Sequence, residues 1–222
     1  MPSSRKSAFK SLRILITSGP TSVPIDSMRV ITNRSTGEMG RLLATACAHQ
    51  GAKVHLLEGA VTTSLPVPSS VKTSKFYFYN ELATLLKQEL RHHYDIIFHA
   101  AAVSDFYVKN PSRRKLASGA NLTIELQSTR KLVNEIKKHS PNSFLVGFKF
   151  EQNIDSKVTV KKAKCLILDS ACDCVVLNQN NSAGYKAVLV LADGSISNKA
   201  ASRKSLVSRI IALLHARLTK YR

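Results

Sequence analysis

Short apolar segments alternate with helix-like segments through the first half of the chain, and this alternation restricts the fold more than any other feature. Short β-branched or apolar runs are typical of buried strands, whereas leucines spaced three or four residues apart are typical of amphipathic helices. We therefore predict strands at residues 14–17, 53–57, 71–79 and 95–99, with helices at 41–50 and from an N-cap at Asn80 to Leu90. Such an alternation favours an α/β fold, a Rossmann-like three-layer sandwich with a mainly parallel sheet.

The second half of the chain continues the pattern. We predict strands at 122–126, 144–148, 174–177 and 187–191, helices at 130–139, 158–169 and 206–217, and a turn at the asparagine-rich segment 178–181. There is no internal repeat and no linker. Residues 13–222 are therefore predicted to form a single domain, which follows a basic N-terminal extension at residues 1–12.

A long polar loop separates the first predicted strand from the first predicted helix. It begins with a turn at Gly19, carries Arg29 and Asn33, and ends at Gly37 and Gly40. The N–H groups at a helix start favour an anion, and loops of this length are usually functional. Arginine suits a phosphate or a carboxylate, and asparagine offers both a donor and an acceptor. We therefore predict an anion-binding loop, although it matches neither a Walker motif nor GxGxxG.

Three alanines, Ala100, Ala101 and Ala102, follow the fourth predicted strand, and Asp105 comes shortly after them. Small side chains let a ligand approach the backbone closely, and an aspartate there could bind Mg²⁺ or a ribose or substrate hydroxyl. The same residues also permit tight packing, and the sequence pattern alone leaves these two interpretations open. Because the carboxyl ends of parallel strands share one edge, Gly19 and Ala100 are expected on the same rim of the sheet.

These segments carry a family resemblance. The chain reads TSGPT at residues 17–21, PID at 24–26, RVITNRSTGEMG at 29–40 and AAAVSD at 100–105. Together they resemble the phosphopantothenoylcysteine synthetase family, the phosphopantothenate–cysteine ligases of coenzyme A synthesis. The resemblance implies a stand-alone, cytoplasmic, homodimeric ligase that joins 4′-phosphopantothenate to L-cysteine. It also implies an acyl-nucleotidylate (acyl-cytidylate) intermediate, with CTP or ATP as co-substrate and with Mg²⁺.

The resemblance also assigns roles to individual residues. It implies that the catalytic residues are Arg29, Asn33 and Lys115. It implies nucleotide contacts at Gly19, Ser35, Gly37, Gly40, His99, Ala100, Ala101, Asp105, Lys115 and Phe148. It implies substrate contacts at Arg29, Asn33, Ala101, Ala102 and Asp105, and it leaves the metal ligands unassigned.

Two segments depart from the family pattern. Residues 113–118 resemble the family's mobile flap, in which Lys115 is expected to hold the triphosphate, but Ala117 replaces a second flap lysine. Residues 129–131 read TRK where the family has N-P-D. In addition, the helix lysines that help bacterial members to select CTP do not align cleanly, although Lys161, Lys162 and Lys164 lie close by. These departures leave the choice between CTP and ATP open.

The chain is strongly basic, with 33 Lys and Arg against 14 Asp and Glu and a formal net charge of +19. Such a charge favours polyanions, so a basic nucleic-acid-binding module without catalysis is the alternative function. The basic residues are spread along the chain without a nucleic-acid-binding motif, so we expect no specific nucleic-acid binding. A Rossmann oxidoreductase is disfavoured because GxGxxG is missing and Glu58 is the only acidic residue near the end of the second strand.

The cysteines and the hydropathy complete the predictions. The four cysteines form no CxxC pair and no zinc spacing, so we expect buried reduced thiols at Cys47, Cys165, Cys172 and Cys174. No apolar run approaches the roughly 18 residues that a membrane span needs. The N-terminus lacks the apolar region of a secretory signal, so no membrane association is expected.

Overall fold

The computed structural model describes residues 9–119, 121–155 and 157–220. In chain order, the strands are β1 (Arg13–Ser18), β2 (Ser22–Pro24), β3 (Val30–Thr32), β4 (Lys53–Glu58), β5 (Lys72–Lys75), β6 (Ile96–His99), β7 (Phe106–Val108), β8 (Leu126–Ser128), β9 (Phe144–Phe150), β10 (Cys174–Asn181) and β11 (Gly184–Leu191). The helices are α1 (Glu38–His49), α2 (Tyr79–Glu89), α3 (Val133–His139), α4 (Lys157–Ser170) and α5 (Arg203–Lys220).

Seven of the strands form one central sheet, in the order β11-β10-β9-β6-β1-β4-β5. Neighbouring strands are parallel except for the antiparallel pair β10–β11. The predicted Rossmann-like α/β fold with a mainly parallel sheet is confirmed. Two short antiparallel ribbons, β2–β3 and β7–β8, lie outside this sheet.

Helices cover both faces of the sheet. Successive side chains of a strand point to opposite faces, so one strand contributes to the packing on both. Ile14 and Ile16 of β1 pack in one apolar cluster with side chains of α1 and α5. Leu15, between them, packs in a second cluster with side chains of α2, α3 and α4. Both faces of this inner strand are buried, which explains why its sequence is a continuous apolar run rather than an alternating one.

The third predicted strand and the predicted helix cap are wrong in their bounds. The strand β5 ends at Lys75 rather than at residue 79, and α2 begins at Tyr79 with Phe78, not Asn80, as its N-cap. The carboxylate of Glu81 explains the change. It accepts hydrogen bonds from the N–H groups of Tyr77 at 2.6 Å and Phe78 at 3.0 Å, and these bonds satisfy donors at the helix start.

The turn predicted at residues 178–181 is wrong, because β10 continues through these asparagines to Asn181. The antiparallel ladder pairs Asn178 with Ala187 and Asn180 with Tyr185, so pairing with β11 overrides the local preference of asparagine for turns. Only Asn181 behaves as a turn residue. Its side-chain oxygen accepts the N–H of Ala183 at 3.0 Å.

The alternating segment 122–126 is also not a strand over its predicted length. Only Leu126 belongs to β8, which pairs with β7 outside the central sheet. Leu122 and Leu126 are both exposed. The helix predicted from residue 130 begins later, at Val133. The predicted helices at 41–50, 158–169 and 206–217 and the remaining strands are confirmed with small changes at their ends.

The chain packs against the core before the first strand begins. Phe9 and Leu12, in the part predicted as a basic extension, are both buried, and residues 1–8 lie outside the described residues. Cys47, Cys172 and Cys174 are buried free thiols, and burial raises the pKa of each to about 12. The expectation of a buried thiol is wrong for Cys165, which lies on the exposed side of α4.

The start of α1 lies directly against the end of β1. Gly37 precedes the helix with a positive φ of 75°. The hydroxyl of Ser18 donates a hydrogen bond to the carbonyl of Gly37 at 3.1 Å. A Cβ on Gly40 would lie 2.1 Å from Ser18 Oγ and 2.2 Å from Ser18 Cβ. The predicted ligand-binding glycine at position 40 therefore also has a packing role.

We predict that Gly40→Ala lowers the free energy of unfolding by about 1–3 kcal/mol, since the added methyl overlaps the Ser18 side chain. In a Ser18→Gly background the nearest Ser18 atom is Cα at 3.4 Å, an ordinary contact. There the same substitution should be neutral or should stabilise by up to about 1 kcal/mol, as alanine does over glycine in a helix. Urea unfolding of the wild type, Gly40→Ala, Ser18→Gly and the double variant measures the effect of Gly40→Ala on the free energy of unfolding in each background. Equal costs of Gly40→Ala in the two backgrounds would contradict the prediction.

Candidate functional site

A cavity of about 1230 Å³ opens at the carboxyl ends of the central strands. Its wall comprises residues 32–40 at the start of α1, residues 99–105 after β6, residues 129–133 before α3, and the ends of β9 and β10. Ligands of open parallel sheets bind at this edge. The volume exceeds the roughly 300–1,000 Å³ of usual small-molecule sites, so the cavity has room for more than one small molecule.

Most of the predicted site residues line this cavity: Asn33, Ser35, Gly37, Gly40, His99, Ala100, Ala101, Ala102, Asp105 and Phe148. The predicted meeting of the loop after β1 with the alanine run on one rim is thus observed. Gly19, Arg29 and Lys115 are not among the residues that line it.

Gly19 shapes the wall from behind. Its φ is 79°, and a Cβ there would lie 2.9 Å from Val61 Cγ1, so a larger residue is excluded. Its carbonyl accepts a hydrogen bond from the N–H of Ala102 at 2.9 Å. Gly19 therefore positions the alanine run.

Asn33 joins the two sides of the rim. Its side-chain Nδ2 donates hydrogen bonds to the carbonyls of Ala102 at 3.1 Å and Val103 at 3.2 Å. Within the described part of the chain, no donor occupies its Oδ1. The side chain of Asn33 is therefore held in a defined position with an acceptor left for a ligand.

A network of hydroxyl groups, which the sequence did not indicate, holds the segment that carries Asp105. The Thr21 hydroxyl oxygen accepts the N–H of Ser104 at 2.8 Å, and the Thr129 hydroxyl donates to the carbonyl of Ser104 at 2.6 Å. The N–H of Thr129 donates to the carbonyl of Asp105 at 2.9 Å. Thr129, which departs from the family pattern, thus has a positioning role.

His99 is a buried part of the wall. Its Nδ1 lies 3.0 Å from the hydroxyl of Thr17, which also accepts the N–H of Ala101 at 3.2 Å. Burial lowers the pKa of His99 to about 4, so its imidazole is neutral at pH 7. The hydroxyl of Thr17 therefore links the ring of His99 to the alanine run.

Arg29 is held outside this cavity by Asp26. The Asp26 carboxylate contacts Arg29 Nη1 at 3.0 Å and accepts the N–H of Leu116 at 3.1 Å. The N–H groups of Leu116, Met28 and Arg29 and the nearby guanidinium lower the pKa of Asp26. Asp26 therefore joins the loop after β1 to the segment that carries the exposed Lys115.

A second wall of the cavity was missed in the sequence. The guanidinium of Arg203, the first residue of α5, lies 3.5 Å from the carboxylate of Glu38 and 4.9 Å from the ring centre of Tyr185. Tyr185 is paired with Asn180 on β10, and both line the cavity with Asn178. Burial raises the pKa of Tyr185 to about 12. The basic pair at residues 203–204, at the start of a helix, was the available signal, because cations are disfavoured there.

Glu58 is not free to bind a ribose. It ends β4 with its side chain buried, and Arg41 contacts its carboxylate at 2.6 Å while Lys75 forms a second ion pair. Despite the cost of burial, these two cations lower the pKa of Glu58. The acidic position expected of a Rossmann oxidoreductase is thus already occupied.

Within residues 9–119, 121–155 and 157–220, no group of three or more His, Cys, Asp or Glu side chains could hold a metal ion. Asp105 and Glu38 are the carboxylates that line the cavity, and Glu38 is paired with Arg203. In the same described ranges, no helix has the length and apolar character needed to cross a membrane.

Comparison with known proteins identifies similar sequences and structures. A family model described as the DNA/pantothenate metabolism flavoprotein C-terminal domain matches residues 9–216. The coenzyme A biosynthesis bifunctional protein CoaBC of Thermococcus kodakarensis is 35% identical over 214 residues, which cover 93% of this chain and 52% of that protein. The chain spans about half the length of the curated relatives that it matches.

Two solved structures share the fold. The DNA/pantothenate metabolism flavoprotein from Streptococcus pneumoniae matches with a TM-score of 0.80 at 21% identity, covering 95% of this chain and 100% of that one. A Cab2 mutant in complex with phosphopantothenate-cysteine matches with a TM-score of 0.76 at 16% identity, covering 95% and 88%. At these identities the match establishes the shared architecture.

The burial of neutral His99 predicts a loss of stability in mild acid. Between its native pKa of about 4 and the unfolded value of about 6.5, the unfolded state binds more protons, so stability falls as the pH falls. From pH 7 to pH 5 this linkage costs about 2 kcal/mol. Urea unfolding at both pH values should show a smaller difference for His99→Asn than for the wild type. The exposed-site control His49→Asn should keep the full difference, and equal differences in all three proteins would refute the assignment.

Proposed function

The chain belongs to the DNA/pantothenate metabolism flavoprotein C-terminal domain family, and we propose that it is a ligase that joins 4′-phosphopantothenate to L-cysteine in coenzyme A biosynthesis. One observation carries the proposal: residues 32–40 and 100–105, which belong to the family-like motifs, meet at one cavity and are joined by Asn33. The name of the Thermococcus relative and the compound bound to the Cab2 mutant support the same reaction.

In the proposed reaction, the carboxylate of 4′-phosphopantothenate attacks the α-phosphate of CTP or ATP, and pyrophosphate leaves. The product of this step is an acyl-nucleotidylate, an acyl-cytidylate when CTP is used. The amine of cysteine then attacks the activated carbonyl and loses a proton, and the nucleoside monophosphate leaves. Both steps bring anions together, so positioning and electrostatic stabilisation are the main tasks of the protein.

The wall near β1 is suited to hold the reacting groups. Ala101 and Ala102 have small side chains, so the acyl phosphate can approach their backbone. Ala102 is held in place by the hydrogen bond that its carbonyl accepts from Asn33 and by the one that its N–H donates to the carbonyl of Gly19. The nucleotide is proposed to lie along Ser35 and Gly37, because the N–H end of a helix, here the start of α1, favours phosphate.

The base of the nucleotide is proposed to lie near Phe148. Phe150 follows on the same face of β9, lines the cavity and is 58% exposed, which gives a second aromatic surface at the mouth. Either a pyrimidine or a purine can stack on such surfaces. CTP and ATP therefore both remain candidates for the co-substrate.

Asp105 is the residue that would hold Mg²⁺. Its carboxylate lines the cavity, and Mg²⁺ is usually bound by one or two carboxylates together with substrate phosphates. When bound, the ion would neutralise charge on the phosphates. The remaining tasks fall to the side chains and backbone of this chain.

Arg29 and Lys115 do not line the cavity of their own subunit, and they are proposed to reach the substrate from outside it. Arg29 is outside the cavity lining but 41% exposed at the side chain, and Asp26 fixes its direction. In a homodimer, Arg29 of one subunit would reach the phosphate of the pantothenate in the other subunit. Lys115 lies on the flap segment 113–118, which would close over the triphosphate.

The alternative function is a basic nucleic-acid-binding module on the same fold. The charge of +19 is the observation in its favour. Salt-dependent binding of RNA would not separate the two functions, because any protein of this charge shows it. A preference for one nucleic-acid sequence, together with absent ligase activity, would favour the module.

The test is pyrophosphate release from the protein with 4′-phosphopantothenate, cysteine, Mg²⁺ and either CTP or ATP. Release that depends on phosphopantothenate is expected, and the faster nucleotide identifies the co-substrate. The variant Asn33→Asp should release about one pyrophosphate per subunit, accumulate the acyl-nucleotidylate and form little product. Its carboxylate cannot donate to Ala102 or Val103, and it places negative charge beside the oxyanion that develops in the second step.

The matched control for this variant is Asn198→Asp, which makes the same change at an exposed residue outside the cavity. It should turn over as the wild type does. Normal product formation by Asn33→Asp would remove Asn33 from the mechanism. Absence of release from the wild type with both nucleotides would count against the ligase.

Mixed dimers test the proposed role of Arg29. If Arg29 completes the partner's cavity, a purified dimer of one Arg29→Gln subunit and one Asn33→Asp subunit has one site with both changes and one with neither. Its product formation should be about half that of the wild type, since one of two sites is intact. Homodimers of either variant should be nearly inactive. A mixed dimer as inactive as its parents would place Arg29 in the site of its own subunit.

A further inference from the structure

The second wall of the cavity contains an arginine that the proposed reaction has not used. We propose that Arg203 binds the phosphate chain of the nucleotide from this wall, and that it pairs with Glu38 instead when the site is empty. This inference rests on the proposed function for the identity of the anion. The polyphosphate site itself can be tested without catalysis.

The first support is the placement of Arg203. Cations that line the cavity occur at Arg34, Arg130, Lys131, Lys149 and Arg203. Arg34, Arg130 and Lys131 are on the exposed rim, whereas the side chain of Arg203 is only 27% exposed. A guanidinium recognises phosphate oxygens with two parallel hydrogen bonds, and burial makes such bonds stronger than they are on the rim.

The second support is that Arg203 stands against the local preference of its helix. It is the first residue of α5, whose first turn contains no acidic residue. The positive end of the helix dipole disfavours a cation there. A side chain kept in an unfavourable position beside a cavity indicates a function for that charge.

The third support is that the present partner of Arg203 is easily displaced. The contact with Glu38 is 3.5 Å long, and both side chains are partly exposed, at 27% and 34%. Ion pairs of this kind are worth about 0–1 kcal/mol. A polyphosphate beside Ser35 and Gly37, the neighbours of Glu38, carries more negative charge than one carboxylate and would compete for the guanidinium.

The hydroxyl of Tyr185 supports a second position for this arginine. Among the described residues it is the buried side-chain polar atom without a hydrogen-bond partner, and Arg203 lies over its ring. Leaving such a group unpaired is unfavourable. Movement of Arg203 towards a phosphate would uncover the hydroxyl, which could then donate to the same anion.

The experiment measures binding of inorganic tripolyphosphate by titration calorimetry, with no other substrate present. Arg203→Gln should weaken its affinity by about tenfold or more, as expected for the loss of a charge-assisted hydrogen bond. The matched control is Arg209→Gln on the same helix, where the guanidinium donates to the carbonyl of Lys199 outside the cavity. The control should bind as the wild type does. Equal affinities for the wild type and Arg203→Gln would overturn the proposal.

A variant that should gain affinity provides a second test, because misfolding cannot explain a gain. Glu38→Gln removes the competing carboxylate and should tighten tripolyphosphate binding by about threefold or more, consistent with a weak ion pair. The gain should shrink when the same change is made in the Arg203→Gln protein. A gain of equal size in both backgrounds would mean that Glu38 acts only by repelling the anion, and would refute the exchange.

Ligase assays distinguish a failure of the proposed ligase function from a failure of the proposed role of Arg203. If the ligase function is correct, Arg203→Gln should raise the KM for CTP or ATP about tenfold and leave the KM for cysteine unchanged. If tripolyphosphate binding depends on Arg203 but no substrate combination releases pyrophosphate, the polyphosphate site stands and the ligase function fails. If the ligase is active and Arg203→Gln changes neither the KM for nucleotide nor tripolyphosphate binding, the inference fails alone.

Discussion

The end of β1 is the structural feature on which the cavity depends. Three successive residues there contact two parts of the wall: Thr17 and Gly19 meet His99 and Ala102 at and just after the end of β6, and Ser18 meets Gly37 and Gly40 at the start of α1. β1 lies inside the sheet with both faces buried, so its end cannot move without disturbing a close-packed core. The two walls beside it are therefore positioned by a rigid strand rather than by the loops themselves.

This arrangement separates rigid neutral groups from movable charged ones. Near β1, the wall consists of small residues and backbone groups held by the hydroxyls of Thr17 and Thr21. Apart from Asp105, the charged side chains discussed above lie elsewhere, with Arg203 and Glu38 on the second wall and Arg29 outside the cavity. Fixed dipoles need no reorganisation during a reaction, whereas charges near solvent can change partners when an anion enters. The two kinds of group thus suit chemistry and ligand exchange, respectively.

The architecture could be predicted wherever local pattern and tertiary environment agree. The apolar run of β1 and the leucine spacing of α2 both reflect burial that the fold provides. Two errors arose where distant contacts decided the outcome. Residues 178–181 have the composition of a turn, but pairing with β11 makes them a strand. Residues 122–126 alternate as a strand does, but they lie outside the central sheet, and strand preference depends on such packing.

The same reasoning explains which part of the candidate site the sequence contained. Residues 32–40 and 100–105 belong to contiguous motifs, so their meeting at the cavity followed from the order of parallel strands. Glu38 and Arg203 are far apart in the sequence, and no local pattern joins them. What the sequence does show is a basic pair at the start of α5, contrary to the preference of a helix N-terminus. A broken local rule becomes informative only when the fold shows that the residue faces a cavity. At such a cavity, the positive charge of Arg203 indicates a negatively charged ligand.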